Sequence, residues 1–388
     1  MRIVWHSCAP WACSGYGSQT AIWTRKLQEM GHEVIISSYW GLSGSPTLWG
    51  GDDSHDPVTV LPGFGANYCS VSLGQHCKRV EPDLVITLGD IWVLDPNILR
   101  ELPAAHWLPA DCRPMSLADR QCIDASGAQL MAMGRWGYER FRTAGYNPVY
   151  CPHAIDTDIF KPAEDRRALR DLIDVGDNFV IGINAANNDA IRKALPEQML
   201  AFAKFHQNHP DSLLALHTGI HQDGGQDLEA VAENLGIIDL VRVVDQYRYT
   251  AGMITAADLN EWYNVIDVLS QTVYAEGFGL PVMEAQAAGT PVITTDAASM
   301  VEINPYGVKV GGQPFWNGVH KGWWISPSVT QIVDAYEQAY EQRKNVDAKR
   351  LRRFARGYST ARVSEKYMQP AVAELIDRVK DKVPRPVS

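Results

Sequence analysis

The chain reads as an α/β protein of two domains with parallel sheets. Three observations lead there. Its 388 residues are enough for two domains of ordinary size. Short apolar, β-rich runs alternate with helix-like stretches along the whole chain. The alternation also starts afresh near the middle, as expected of two similar domains.

In the first half the strand-like runs are Ile3 to Trp5, Val34 to Ser37, Leu84 to Leu88, His106 to Leu108, Leu130 to Met133 and Val149 to Cys151. A helix-like stretch, Gln19 to Met30, puts Ile22, Leu27 and Met30 near one face. The second half runs Phe179 to Asn184, Leu213 to Leu216, Leu240 to Val244, Val265 to Thr272 and Val292 to Thr294. Between them lie helix-like stretches at Pro196 to Gln207, Leu228 to Asn234 and Ala256 to Asn264. The last opens on Thr255-Ala256-Ala257-Asp258, a capping box with Asp in place of Glu. Strands alternating with helices imply parallel sheets covered on both faces. Thr360 to Val379 reads as a further helix, and the tail from Asp381 to Ser388 as frayed.

Composition narrows the class. A hydrophobic share of 46% with 21% charged residues fits a globular protein. No apolar run is long enough to span a bilayer, and Met1 to His6 reads as a strand rather than a leader. Seven scattered cysteines suggest free thiols and a cytoplasmic setting. The net charge of −10 argues against strong non-specific nucleic-acid binding.

The richest segment is Glu276-Gly277-Phe278-Gly279-Leu280-Pro281-Val282-Met283-Glu284. Its glycines let backbone amides approach a ligand, and Pro281 suits the first turn of a helix. A helix N-terminus offers free N–H groups and partial positive charge to a phosphate. Two carboxylates beside such a nest suit the hydroxyls of a sugar and a ribose. A nucleotide-sugar carries all three groups. The bland alternative is an ordinary strand-loop-helix crossover with solvated acids.

This segment, continued by Ala285-Gln286-Ala287-Ala288-Gly289-Thr290-Pro291-Val292-Ile293, resembles the donor signature of retaining glycosyltransferases of family 4, Glu, seven residues, Glu. The resemblance implies the GT-B fold: two Rossmann-like domains with parallel sheets facing across a cleft. It implies domains at 1–157 (acceptor) and 158–359 (donor), with 360–388 returning as a helix to the first. The join Cys151 to Pro162 is similar to the family linker, with His153 and Ala154 where Asn and Gly are usual. That context sets aside a metal reading of Asp156-Thr157-Asp158.

The resemblance also implies roles. Lys193, with Arg192 slightly offset from the family placement, would hold the departing diphosphate, where positive charge stabilises the transition state; a solvated basic pair is the alternative. Gly15 and Gly17 would form a donor loop after the first strand. A dinucleotide fingerprint competes there, but Thr20 replaces the third glycine and no acid ends the second strand. Glu284 would take the ribose hydroxyls in ionised form, favoured by the helix N-terminus. Glu276 would face the sugar, and the amides of Gly277, Phe278, Gly279 and Leu280 would complete the cradle. Asp111 is the expected acceptor-side carboxylate, and His106 reads as a core histidine.

No metal and no cofactor beyond a UDP- or GDP-linked donor is expected. The paired histidines His206/His209 and His217/His221 read as surface or loop residues, and Trp11, Trp40 and Trp49 as loop aromatics. The expected activity is retaining, metal-independent transfer of a sugar to a hydroxyl. The acceptor stays open among a small molecule, a glycan, a lipid head group, a protein and modified DNA. A binding protein without transfer activity, or an epimerase on the same fold, are the alternatives.

Overall fold

The computed structural model describes residues 1–53 and 55–382; the last six positions of the tail read as frayed lie outside them. The chain divides into two compact units. Unit 1 comprises Met1–Ala154, Asn317–Gly322 and the segment from Thr360 onward, and unit 2 comprises Ile155–Trp316 and Trp323–Ser359.

Unit 1 carries eight strands: β1 (Arg2–Cys8), β2 (Glu33–Trp40), β3 (Thr47–Trp49), β4 (Val58–Leu61), β5 (Leu84–Leu88), β6 (Ala104–Leu108), β7 (Gln129–Ala132) and β8 (Val149–Tyr150). They form one sheet in the order β3-β4-β2-β1-β5-β6-β7-β8. Every pairing is parallel except β3 with β4. The central strands are buried along nearly their whole length, as both-face coverage requires. Trp5, Trp23 and Trp107 pack with ring centroids 6.0 Å apart in both pairs that involve Trp107. Val4, Leu73, Val85, Leu99, Leu108 and Phe141 belong to one core cluster. The sequence reading missed β3 and β4. β3 is a three-residue edge strand and β4, between it and β2, has only four residues, so their periodicity is too brief to register.

The stretch read as a C-terminal helix is Thr360–Val363, a π-helical turn at Ser364–Met368, then Gln369–Val379. It packs on β5, β7 and β8 within unit 1. Arg378 donates to the carbonyl of Asn147 at 2.7 Å, and Tyr367 meets Tyr150 edge-on at 5.3 Å.

Unit 2 carries β9 (Phe179–Asn184), β10 (Ser212–His217), β11 (Val241–Val243), β12 (Val268–Gln271), β13 (Val292–Thr295), β14 (Val308–Val310), β15 (Gly312–Asn317) and β16 (Gly322–Pro327). The first six form a fully parallel sheet in the order β11-β10-β9-β12-β13-β14. β15 and β16 pair separately, and the turn that joins them, Asn317–Gly322, is assigned to unit 1. Ile181, Ile183, Met199, Phe202, Phe205, Leu214, Leu216 and Ile293 belong to its core. The expected strand Val265 to Thr272 is shorter than read: Val265 closes the helix Ala256–Val265, and β12 begins at Val268. The Thr255 capping box is formed, its Asp258 carboxylate accepting from the Thr255 backbone at 2.8 Å.

The topology of unit 2 has a direct consequence. The chain leaves β9 toward β10 and β11 on one side, then returns to build β12 and β13 on the other. The carboxyl ends of β9 and β12 therefore flank a topological switch point, where open α/β sheets bind ligands.

Candidate functional site

The loop after β9 and the loop after β12 both open at that switch point. The first carries Asp189, Arg192 and Lys193 and the second carries Glu276. The Asp189 carboxylate accepts from the amides of Ile191 and Arg192 at 2.8 and 2.7 Å, which folds the first loop into a tight turn. Asn187 anchors it by donating to the carbonyls of Gly219 and Gln226 at 3.0 and 2.7 Å. The Arg192 carbonyl accepts from the Tyr274 amide at 2.9 Å, tying the first loop to the second.

These constraints bring the expected charges together. Lys193 Nζ lies 2.5 Å from Glu276 Oε2, and the Arg192 guanidinium lies 3.8 Å from the same oxygen. The Lys193 and Glu276 side chains are largely buried, at 10% and 16% exposure. Burial pushes the Glu276 pKa up, but Lys193 and Arg192 outweigh it and hold the carboxyl below its usual range. Burial, then the Arg192 charge, lowers the Lys193 pKa, while Glu276 opposes the shift. The cations expected to hold the departing diphosphate are thus engaged by the acid expected to face the sugar.

The glycine nest has a definite shape. Ser299 donates to the carbonyls of both Glu276 and Phe278, at 2.8 and 2.9 Å, which fixes the peptide planes. The Gly277 amide turns toward the Glu276 carboxylate. Gly279 caps the helix Leu280–Ala288 with φ +100, and a Cβ there would sit 2.7 Å from both Ile303 and Met300. Only glycine fits that position without strain. Pro281 stands in the first turn of this helix.

Glu284 departs from expectation. It was read as ionised by the helix N-terminus, yet it is only 8% exposed, and burial raises its pKa to about 7 despite the Tyr263 hydrogen bond. Desolvation exceeds the helix-end potential here because that potential fades within the first turn. The Tyr263 hydroxyl donates to Glu284 Oε2 at 2.8 Å and accepts from the Asn184 amide at 2.7 Å. His217 Nδ1 lies 3.1 Å from Asn184 Oδ1, which completes a chain from β10 to the helix. His217 is accordingly a buried strand residue, correcting its reading as a loop residue. Gln271 and Thr272, at the end of β12, have buried polar side-chain atoms with no partner. Asn184, Asn187, Asp189, Tyr263 and Gln271 escaped the sequence reading. Their placement depends on strand order, which no local motif encodes.

Unit 1 holds the remaining expected residues. Gly15 opens the helix Gly15–Glu29, and Ser14 caps it by accepting from the Gly17 amide at 3.0 Å. A Cβ on Gly17 would lie 2.1 Å from the Ala12 carbonyl, so its glycine is demanded by its own loop. His106 is buried in β6, with Nε2 2.9 Å from the Gly89 carbonyl, and burial lowers its pKa to about 3. Asp111 is half-buried in the irregular segment after β6 and accepts from the Cys112 thiol at 3.4 Å. Trp40 and Trp49 end β2 and β3 rather than standing in loops. All seven cysteines are free thiols. No helix among the described residues is long and apolar enough to cross a membrane.

Comparison with known proteins places the chain among glycosyltransferases in sequence and fold. Residues 175–357 match the family described as Glycosyl transferases group 1. The chain is 25% identical over 283 residues to D-inositol 3-phosphate glycosyltransferase 2 of Catenulispora acidiphila, a match covering 70% of this chain and 56% of that protein. The chain thus spans about half the length of the curated relatives it matches. Among solved structures, sucrose-phosphate synthase of Thermosynechococcus elongatus superposes with TM-score 0.77 at 15% identity, covering 97% of this chain and 99% of that one. Anabaena HepE in complex with UDP and glucose superposes with TM-score 0.68 at 15% identity, covering 96% of this chain and 100% of that one. The protein has the GT-B fold, with a parallel, Rossmann-like sheet in each unit.

Proposed function

We propose that the protein is a retaining glycosyltransferase of family 4 that moves a sugar from a nucleoside-diphosphate-sugar to an acceptor hydroxyl without a metal. The observation that carries this is the Arg192–Lys193–Glu276 cluster at the carboxyl ends of β9 and β12, beside the helix that begins at Leu280. The matched glycosyltransferase segment, 175–357, contains every residue of that cluster. HepE, a fold relative, has been solved with UDP-glucose, which supports a nucleotide-sugar as the ligand class.

In this reading the diphosphate draws Lys193 and Arg192 away from Glu276. Two cations and the helix N-terminus then offset the charge that develops on the leaving group. Glu276, released from its ion pair, turns to a sugar hydroxyl. The bond between the anomeric carbon and the phosphate oxygen breaks. The acceptor oxygen bonds to that carbon from the same face, and its proton passes to the departing phosphate oxygen. Glu284, poised near neutrality, accepts from the ribose hydroxyls. The amides of Phe278, Gly279 and Leu280 line the donor in this proposal. Asp111 serves the acceptor side: it follows β6, and ligands of open α/β sheets gather beyond strand carboxyl ends. The seven free thiols fit a reducing, cytoplasmic setting.

The test is nucleotide release and sugar transfer with UDP- and GDP-linked donors against a panel of hydroxyl acceptors. Glu276→Gln and Lys193→Met should each lose transfer while retaining the wild-type circular dichroism spectrum. Wild-type turnover in either variant refutes the assignment, and an inverted anomeric configuration in the product refutes the same-face mechanism.

A further inference from the structure

We propose that Asp111, Cys112 and His320 of unit 1 form a binding site for a divalent transition metal of the zinc class. The carboxylate, thiol and imidazole ligand atoms all lie within 4.8 Å of one another. Around a tetrahedral zinc ion, ligand atoms stand about 3.5 Å apart, so a small rotation of the side chains closes the set. Thiolate with imidazole and carboxylate is a donor combination that suits zinc rather than magnesium or calcium.

The fold presents these groups deliberately. The Asn317 side chain accepts from the amides of Val319 and His320 at 2.9 and 2.8 Å, which shapes the loop bearing the imidazole. The Ser116 hydroxyl donates to the His320 carbonyl at 2.6 Å, holding that loop against the segment after Cys112. Trp92 meets the His320 ring edge-on at 5.4 Å. A Cβ on Gly322 would lie 2.8 Å from Cys112 Sγ, so glycine is what lets the loop approach the thiol.

A neighbouring buried acid is electrostatically coupled to this cluster. Asp119 is 5% exposed, and its Oδ1 has no hydrogen-bond partner. Burial raises its pKa well above the carboxylate range, and the charges of Asp90 and Asp111 add to the shift. Three carboxylates therefore share this corner of unit 1, and one has an oxygen left without a partner. A divalent ion on Asp111 would offset the like charge that this carboxylate places on Asp119. Asp111 and His320 are only half-buried, so three protein ligands would leave a position open to water or to a further oxygen ligand. The site uses none of Lys193, Glu276 or Glu284, so it stands whether or not the donor assignment does, and a metal on Asp111 would take that carboxylate from the acceptor-side role proposed above.

The sequence hid this cluster because His320 is far along the chain from Asp111 and Cys112, and no short motif joins them. Cobalt titration of the full chain, untagged and stripped with a chelator, tests the proposal. One equivalent of Co2+ should produce a thiolate-to-metal charge-transfer band with visible d–d absorption, and Zn2+ should displace it. Mass spectrometry should find about one zinc per chain after dialysis against Zn2+. Cys112→Ser should abolish the charge-transfer band, and His320→Ala should weaken metal affinity at least tenfold. Cys13→Ser, at an exposed thiol outside the cluster, should bind as the wild type does. Far-ultraviolet circular dichroism checks that each variant is folded, and His320→Ala, a loop substitution, keeps the test open if Cys112→Ser misfolds. Absence of the band in the wild type, or an unchanged titration in folded Cys112→Ser or His320→Ala, overturns the proposal.

Discussion

Replacing Lys193 with Met removes one charge and keeps most of the side-chain volume. It leaves Glu276 at 16% exposure without its 2.5 Å partner. Breaking a buried ion pair typically costs about 3–5 kcal/mol. Two features of the site reduce that. Glu276 keeps some contact with water, and Arg192 remains 3.8 Å away. A loss of about 2–3 kcal/mol follows, equivalent to about 5–10 °C in Tm for a domain of this size. Glu276→Gln alone should also destabilise, because Lys193 is then buried beside Arg192 with only the weaker attraction of Asp189 to offset its charge. The double variant should cost less than the sum of the two by about 1–3 kcal/mol, since the second change removes a charge already stranded. Thermal unfolding of the four proteins gives this cycle directly. Additivity within about 0.5 kcal/mol would mean that the charges do not interact, and the engaged state of the anchor would have to be abandoned. On transfer itself, loss of a cation at the leaving group should cost about 100- to 1,000-fold in kcat.

Other perturbations read other parts of the site. The folded pKa of Glu284, about 7, lies above its ordinary 4.5, so its favourable share of stability is complete below pH 4.5 and is lost as pH rises through 7. Wild type should therefore lose up to about 3 kcal/mol relative to Glu284→Gln across that window, measured by urea unfolding at several pH values; parallel profiles would contradict it. If the ionised acid takes the ribose hydroxyls, nucleotide affinity should rise about tenfold between pH 6 and 8 in the wild type and stay flat in Glu284→Gln, as calorimetry would reveal. Tyr263→Phe leaves Asn184 and Glu284 without their shared hydroxyl and should cost about 1–3 kcal/mol; an unchanged melting temperature would remove the proposed chain. Gly279→Ala forces a side chain into φ +100 and against Ile303 and Met300, so a Tm drop of several degrees is expected, and a stabilised variant would refute the strain argument.

Much of unit 2 was legible because its signals are local. The helix at Leu228–Asn234, the Thr255 capping box and the Gly279-Leu280-Pro281 helix start are each written within a few residues. The acids and cations of the switch point were nominated for the same reason. Their mutual engagement was not legible, because Lys193 and Glu276 meet only through the adjacency of β9 and β12. The charge state of Glu284 was misjudged for a related reason: its helix position is local, but its burial against Tyr263 is tertiary. In unit 1, Gly17 was given a ligand role where the close Ala12 carbonyl already requires a glycine. The short strands β3 and β4 and the cluster around His320 left no periodic or motif-level trace.

Hydrogen exchange of the full chain with and without UDP, GDP, ADP and TDP probes the donor cradle most directly. Binding of at least one nucleotide should slow exchange in the loop around Arg192 and Lys193 and in Glu276 to Glu284, and Lys193→Met should erase that protection. Saturable nucleotide binding that leaves both segments unprotected, or no binding by any of the four, would contradict the assignment of the donor site to this switch point.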